Sequence, residues 1–124
     1  MTRVLYIEDD DNNRTLVERV LLAEGYEITT AVNARDGIEM AIQDPPDIIL
    51  MDINMPELDG FSATAHLREV PALHFVPIIA VTANVMKGDR EDTLAAGCDG
   101  YIPKPIDIDK FPEEIEYFLR QRRQ

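Results

Sequence analysis

Along the 124 residues, short apolar runs rich in β-branched side chains alternate with segments whose apolar residues recur every three or four positions. Val4-Leu5-Tyr6-Ile7, Ile48-Ile49-Leu50-Met51 and Ile78-Ile79-Ala80-Val81 are continuous and of strand length, the pattern of strands buried on both faces. Tyr26 to Val32 alternates instead, with Tyr26, Ile28, Thr30 and Val32 on one side, which suits an edge strand. Tyr101-Ile102, closed by Pro103, is a short fifth candidate.

Helical patterns fill the intervals. Leu16, Val17, Val20 and Leu21 predict a first helix, capped by Asp10 or Asp11 and ended by Gly25. Ala34, Ile38, Ala41 and Ile42 predict a second, stopped by Pro45-Pro46. Asp59-Gly60 opens a third, carrying Phe61, Ala65 and Leu67. Asn84 caps a fourth with Val85, Leu94 and Ala95, terminated by Gly97. Ile108, Phe111, Ile115, Phe118 and Leu119 form the stripe of a fifth. The order is thus strand then helix, five times over. Such an order demands a parallel sheet covered on both faces, whose functional crevice lies beyond the carboxyl ends of the strands.

Charge sharpens this picture. Twelve Lys+Arg against 24 Asp+Glu give a net charge of −12, which repels phosphate backbones and anionic lipid and argues against a nucleic-acid or membrane binder. The excess is uneven: residues 1–62 hold 14 acids and 4 basic residues, residues 63–124 hold 10 and 8. A single cysteine, Cys98, cannot form an internal disulfide, and no apolar run approaches the roughly 18 residues of a membrane span. The expectation is a cytoplasmic protein with one domain over residues 1–124 and no output domain. Cys98 reads as a small buried residue, Met40, Met51 and Met86 as packing residues, and His66 and His74 as surface histidines. Arg120, Arg122 and Arg123 sit where a helix C-terminus favours cations.

The chemistry gathers at the strand ends. Glu8-Asp9-Asp10-Asp11 follow the first run, Asp52 the third, Thr82-Ala83 the fourth, and Lys104, one of only three lysines, the fifth. Carboxylates brought together on one edge cannot all stay ionised without a cation, and hard oxygen ligands suit Mg²⁺. A lysine among them offers a point charge to an incoming anion. A metal, a lysine, a hydroxyl and a carboxylate nucleophile are together the parts that phosphoryl transfer needs.

The chain resembles the receiver domain of two-component response regulators over essentially its whole length. The resemblance is carried by Tyr6-Ile7-Glu8-Asp9-Asp10, Met51-Asp52-Ile53-Asn54-Met55-Pro56 with Asp59-Gly60, Val81-Thr82-Ala83, and Gly100-Tyr101-Ile102-Pro103-Lys104-Pro105. It implies a flavodoxin-like (βα)5 doubly wound sandwich with strand order 2-1-3-4-5. It also implies that Asp52 accepts a phosphoryl group from the phosphohistidine of a histidine kinase or histidine phosphotransfer protein. Asp9, Asp52 and the Asn54 backbone carbonyl would hold Mg²⁺, with Glu8 reaching it through water. Glutamate stands here where many receivers have aspartate. Thr82 and Lys104 would contact the phosphoryl oxygens, and the Tyr101 rotamer would follow Thr82. Asn54 and Asn84 occupy positions that tune dephosphorylation, and the Lys104-Pro105 bond would be cis. The implied outputs are a switched surface for a downstream protein target and a phosphorylation-dependent dimer. The domain would catalyse only its own phosphorylation and slow dephosphorylation. A haloacid-dehalogenase-type phosphatase would need an acid/base aspartate where Asn54 stands. A non-phosphorylated interaction module would not need the Asp9, Asp52, Thr82 and Lys104 set. A flavin site would need a Gly/Ser/Thr-rich cradle where this chain has acids.

Overall fold

Five strands, β1 (Arg3–Ile7), β2 (Glu27–Ala31), β3 (Ile48–Asp52), β4 (Ile78–Thr82) and β5 (Gly100–Pro103), form one sheet in a computed structural model that describes residues 2–53, 60–82 and 97–121. The spatial order is β2-β1-β3-β4-β5, and every pairing is parallel. The helices are α1 (Asp11–Ala23), α2 (Ala34–Gln43), α3 (Gly60–Arg68) and a C-terminal helix (Phe111–Arg120), with a 3₁₀ turn at Pro71–Leu73 that the sequence pattern did not signal. The expected helix over 84–95, with Met86, lies outside the described residues, as do Arg122 and Arg123.

Strand alternation divides the core into two layers. Leu5, Ile7, Ile49, Met51, Ile78 and Ala80 face α2 and α3, where Ile38, Ala41, Ala63 and Leu67 close the layer. Val4, Tyr6, Ile48, Leu50, Ile79 and Val81 face the other way, against Val17 and Leu21 of α1 and Phe111 and Ile115 of the C-terminal helix. Both β3 and β4 are buried along their full length, which is why their sequences run apolar without a break.

Details of the pattern shift with geometry. Asp10 caps α1, its side chain accepting from the Asn13 N–H, and Gly25 follows the helix at φ +88°. Ile42 is exposed, since α2 seats Gly37 rather than Ile42 on the sheet. In α3 the inward face is Ala63, Thr64 and Leu67, with Ala65 exposed, a shift of the face around the helix; the Phe61 side chain lies outside the described residues. Ile108 precedes the last helix and is exposed, so that helix's buried stripe begins at Phe111. The edge strand ends at Ala31, leaving Val32 exposed. Met51 and Cys98 are buried, Met40 packs against the α2–α3 layer, and His66 and His74 are exposed.

Candidate functional site

Strands β1 and β3 are neighbours, with Ile7 opposite Met51. One residue further along each, the chain delivers a carboxylate: Glu8 and Asp52. Both are buried, at 0% and 2% exposure, in contrast to the exposed Asp9. One carboxylate oxygen from each of Glu8, Asp9 and Asp52 lies within 4.8 Å of the others.

Lys104 arrives from the loop after β5. Its backbone N–H donates to the Thr82 carbonyl at 2.8 Å, which ties that loop to the end of β4. Its Nζ stands 2.9 Å from Glu8 Oε1 and 3.3 Å from Asp52 Oδ1. The Lys104–Pro105 bond is cis. Thr82, the last residue of β4, is buried beside the β3 terminus, where Asp52 is in register with Val81. Tyr101 is half-buried and packs on the α2–α3 layer. Asn54, Pro56 and Asn84 lie outside the described residues.

Three residues to which the sequence assigned no site role surround Glu8. The Tyr6 hydroxyl donates to Glu8 Oε1 at 2.9 Å, and Asn13 Nδ2 donates to the same oxygen at 3.1 Å. Arg14 donates to the Glu8 carbonyl at 2.7 Å. The signal for Tyr6 was present, because residues two apart on a strand point to one face. Nothing in the pattern marked Asn13, whose position depends on how α1 enters the sheet edge.

The electrostatics follow from this packing. Burial works against ionisation of Glu8, but the Lys104 ammonium and the Tyr6 hydroxyl outweigh it and hold its pKa below the usual carboxylate range. Burial equally opposes the Lys104 charge, yet Glu8 and Asp52 raise its pKa above the ordinary value. Tyr6 is pushed well up, first by burial and then by Glu8, so its hydroxyl keeps its proton and donates. Glu8 Oε2 is buried and receives no hydrogen bond. Three carboxylates and one ammonium leave a formal excess of two negative charges. Hard oxygen donors, that excess and the unsatisfied Oε2 together fit a hard divalent cation.

A five-stranded parallel doubly wound sheet with paired acids, a threonine and a lysine at its carboxyl edge is compatible with a phosphoacceptor role. The chain belongs to the response regulator receiver domain family, whose model matches residues 4–116. It is 40% identical over 116 residues to the polar-differentiation response regulator DivK of Brucella anthropi, covering 94% of each chain. Among solved structures it is similar to the chemotaxis protein CheY4 of Vibrio cholerae, with a TM-score of 0.92, 27% identity, and 95% and 98% of the two chains covered. It also resembles the receiver domain of the sensor histidine kinase PA1611 of Pseudomonas aeruginosa, with a TM-score of 0.88, 35% identity, and 96% and 98% covered. That structure holds a magnesium ion coordinated in its active-site cleft.

Proposed function

We propose that this chain is a phosphoacceptor in which Asp52 takes a phosphoryl group from the phosphohistidine of a histidine kinase or histidine phosphotransfer protein. The observation that carries this reading is the convergence of Glu8, Asp9, Asp52 and Lys104 from three separate stretches of chain on one sheet edge. A carboxylate oxygen of Asp52 attacks phosphorus, the P–N bond to histidine breaks with its electron pair leaving on nitrogen, and an acyl phosphate forms. Asp9, Asp52 and the backbone carbonyl of Asn54 would hold Mg²⁺, with Glu8 reaching it through water. Bound there, the ion neutralises charge on the phosphoryl oxygens. Lys104 turns its ammonium from Glu8 toward the new dianion, and the Thr82 hydroxyl donates to it.

Drawing Thr82 inward moves the β4 end to which the Lys104 loop is bonded, and Tyr101 follows. The surface around β5 and the C-terminal helix then changes affinity for a downstream protein or for a second copy. Asn54 and Asn84 would set the rate at which water hydrolyses the acyl phosphate, so the domain catalyses only its own modification and reversal. The acidic surface speaks against direct nucleic-acid or membrane binding, and among the described residues no helix is long and apolar enough to cross a membrane. A cytoplasmic single domain over residues 1–124 completes the reading. With acetyl phosphate and Mg²⁺, intact-mass spectrometry of the protein is expected to show one added phosphoryl group, lost in Asp52→Asn and on chelation. Equal labelling of Asp52→Asn overturns the assignment.

A further inference from the structure

Glu8 carries two oxygens with opposite fates. Oε1 accepts from the Tyr6 hydroxyl at 2.9 Å and from Asn13 Nδ2 at 3.1 Å, and it meets Lys104 Nζ at 2.9 Å. Oε2, equally enclosed, receives nothing. A glutamate has one more rotatable bond than aspartate, so a free Glu8 could turn its carboxylate end for end or swing away from the cluster. Donors on two different elements prevent this. Tyr6 lies on β1, facing the α1 side of the sheet and fully buried. Asn13 sits in the first turn of α1, and its backbone is fixed there by the Asp10 cap. The Arg14 bond to the Glu8 carbonyl secures the main chain between them.

We propose that Tyr6 and Asn13 are positioning residues for cation binding: together with Lys104 they saturate Glu8 Oε1 and so leave Oε2 as the oxygen with which Glu8 serves a cation. The inference rests on the reading of Glu8, Asp9 and Asp52 as a divalent-cation site. Neither residue touches the ion or the reacting atoms. Each acts by fixing one carboxylate, in the way that outer hydrogen bonds orient metal ligands generally. It also explains how this chain uses glutamate at that position, since the longer side chain needs holding that a shorter one does not.

Mg²⁺ binding to the full chain is measured by isothermal titration calorimetry for the wild type, Tyr6→Phe, Asn13→Ala and the control Asn12→Ala. The side-chain carboxyl carbon signal of Glu8 is followed by NMR with and without Mg²⁺. Tyr6→Phe keeps the buried ring, and Asn13→Ala keeps the capped backbone, so both retain the fold, which circular dichroism verifies. Each variant is expected to weaken Mg²⁺ binding roughly tenfold, the lower end for lost outer-layer partners, and to shift the metal-free Glu8 signal. Asn12→Ala is expected to match the wild type in both. Wild-type affinity in both variants with an unmoved Glu8 signal overturns the positioning role alone. A wild type that binds no Mg²⁺ overturns the cation site and this inference with it.

Discussion

Gly37 sits in the interior of α2, where helix propensity alone makes alanine better by about 1 kcal/mol. Gly37→Ala is nevertheless expected to destabilise the protein. A Cβ at this position would lie 2.4 Å from Ile7 Cδ1, 2.5 Å from Cγ1 and 3.2 Å from Cγ2. Relief requires roughly 1 Å of movement to reach ordinary van der Waals separation. Ile7 has nowhere to go. It is fully buried, branched at Cβ, and held in a central strand bonded to β2 on one side and β3 on the other. Overpacking of this kind costs about 1–3 kcal/mol, and the rigidity of Ile7 places it at the upper end. Set against the propensity gain, the net loss is about 2 kcal/mol. Urea denaturation measures it, and a double-mutant cycle isolates its cause. Ile7→Ala alone is expected to cost about 2–5 kcal/mol through its cavity, but in that background Gly37→Ala should become neutral or stabilising by up to about 1 kcal/mol. An equal penalty in both backgrounds would refute the steric argument. Because Ile7 directly precedes Glu8, the single variant is also the one in which a remote packing change reaches the site.

Three further outcomes follow from the same packing. Lys104→Met leaves Glu8 and Asp52 buried without their ammonium, and breaking such a pair costs about 3 kcal/mol. With Lys104 gone, burial pushes the folded-state pKa of Glu8 above its unfolded value, so the penalty is greatest at high pH and shrinks as pH falls through that folded value toward about 4.5; a urea midpoint deficit identical at about pH 8 and about pH 4.5 argues against it. Burial, only partly offset by Thr64 and Arg68, raises the Cys98 thiol to about 11, so at pH 8 the native thiolate fraction is about a hundredfold below that of the unfolded chain. Iodoacetamide should therefore label Cys98 only in denaturant, and rapid native labelling would contradict its burial. Arg68 donates to the Gly97, Leu73 and Val76 carbonyls at 2.9, 3.1 and 2.8 Å and pairs with Asp99, which itself accepts from the Ile78 N–H. Arg68→Lys is expected to lose about 2 kcal/mol or more because one ammonium cannot span these directions; wild-type stability in that variant would show that the fork geometry is dispensable.

The sheet was legible because its signal is local. Runs such as Ile48 to Met51 must be buried on both faces, and their turn-bounded spacing admits little besides a parallel sheet. Which helical residues face inward was less legible, since a shift of one position around α3 exchanges Ala65 for Thr64, and a small residue such as Gly37 can occupy the contact that Ile42 was expected to make. The site residues at strand ends were readable from position: Glu8, Asp52, Thr82 and Lys104 each follow or close an apolar run. Their partners were not. Asn13 reaches Glu8 only because α1 begins where it does, and Arg68 links α3 to Asp99 across 31 residues of sequence. Neither distance has a trace in periodicity.

The placement of charge separates structural from functional need in this chain. A fold stabilised only by its core would end β1 and β3 in residues that reach solvent, as Asp9 does. Instead Glu8 and Asp52 are buried side by side, in the half of the chain that already carries 14 acids. Each of these ions gives up its water on burial, and Lys104 at 2.9 and 3.3 Å sets one positive charge against the two. The hydrogen bonds from Tyr6 and Asn13 are spent on one oxygen of one acid, which leaves the other oxygen of Glu8 unsatisfied. Beside them the fold keeps a third carboxylate, Asp9, and a cation held by this cluster would stabilise the folded chain by mass action.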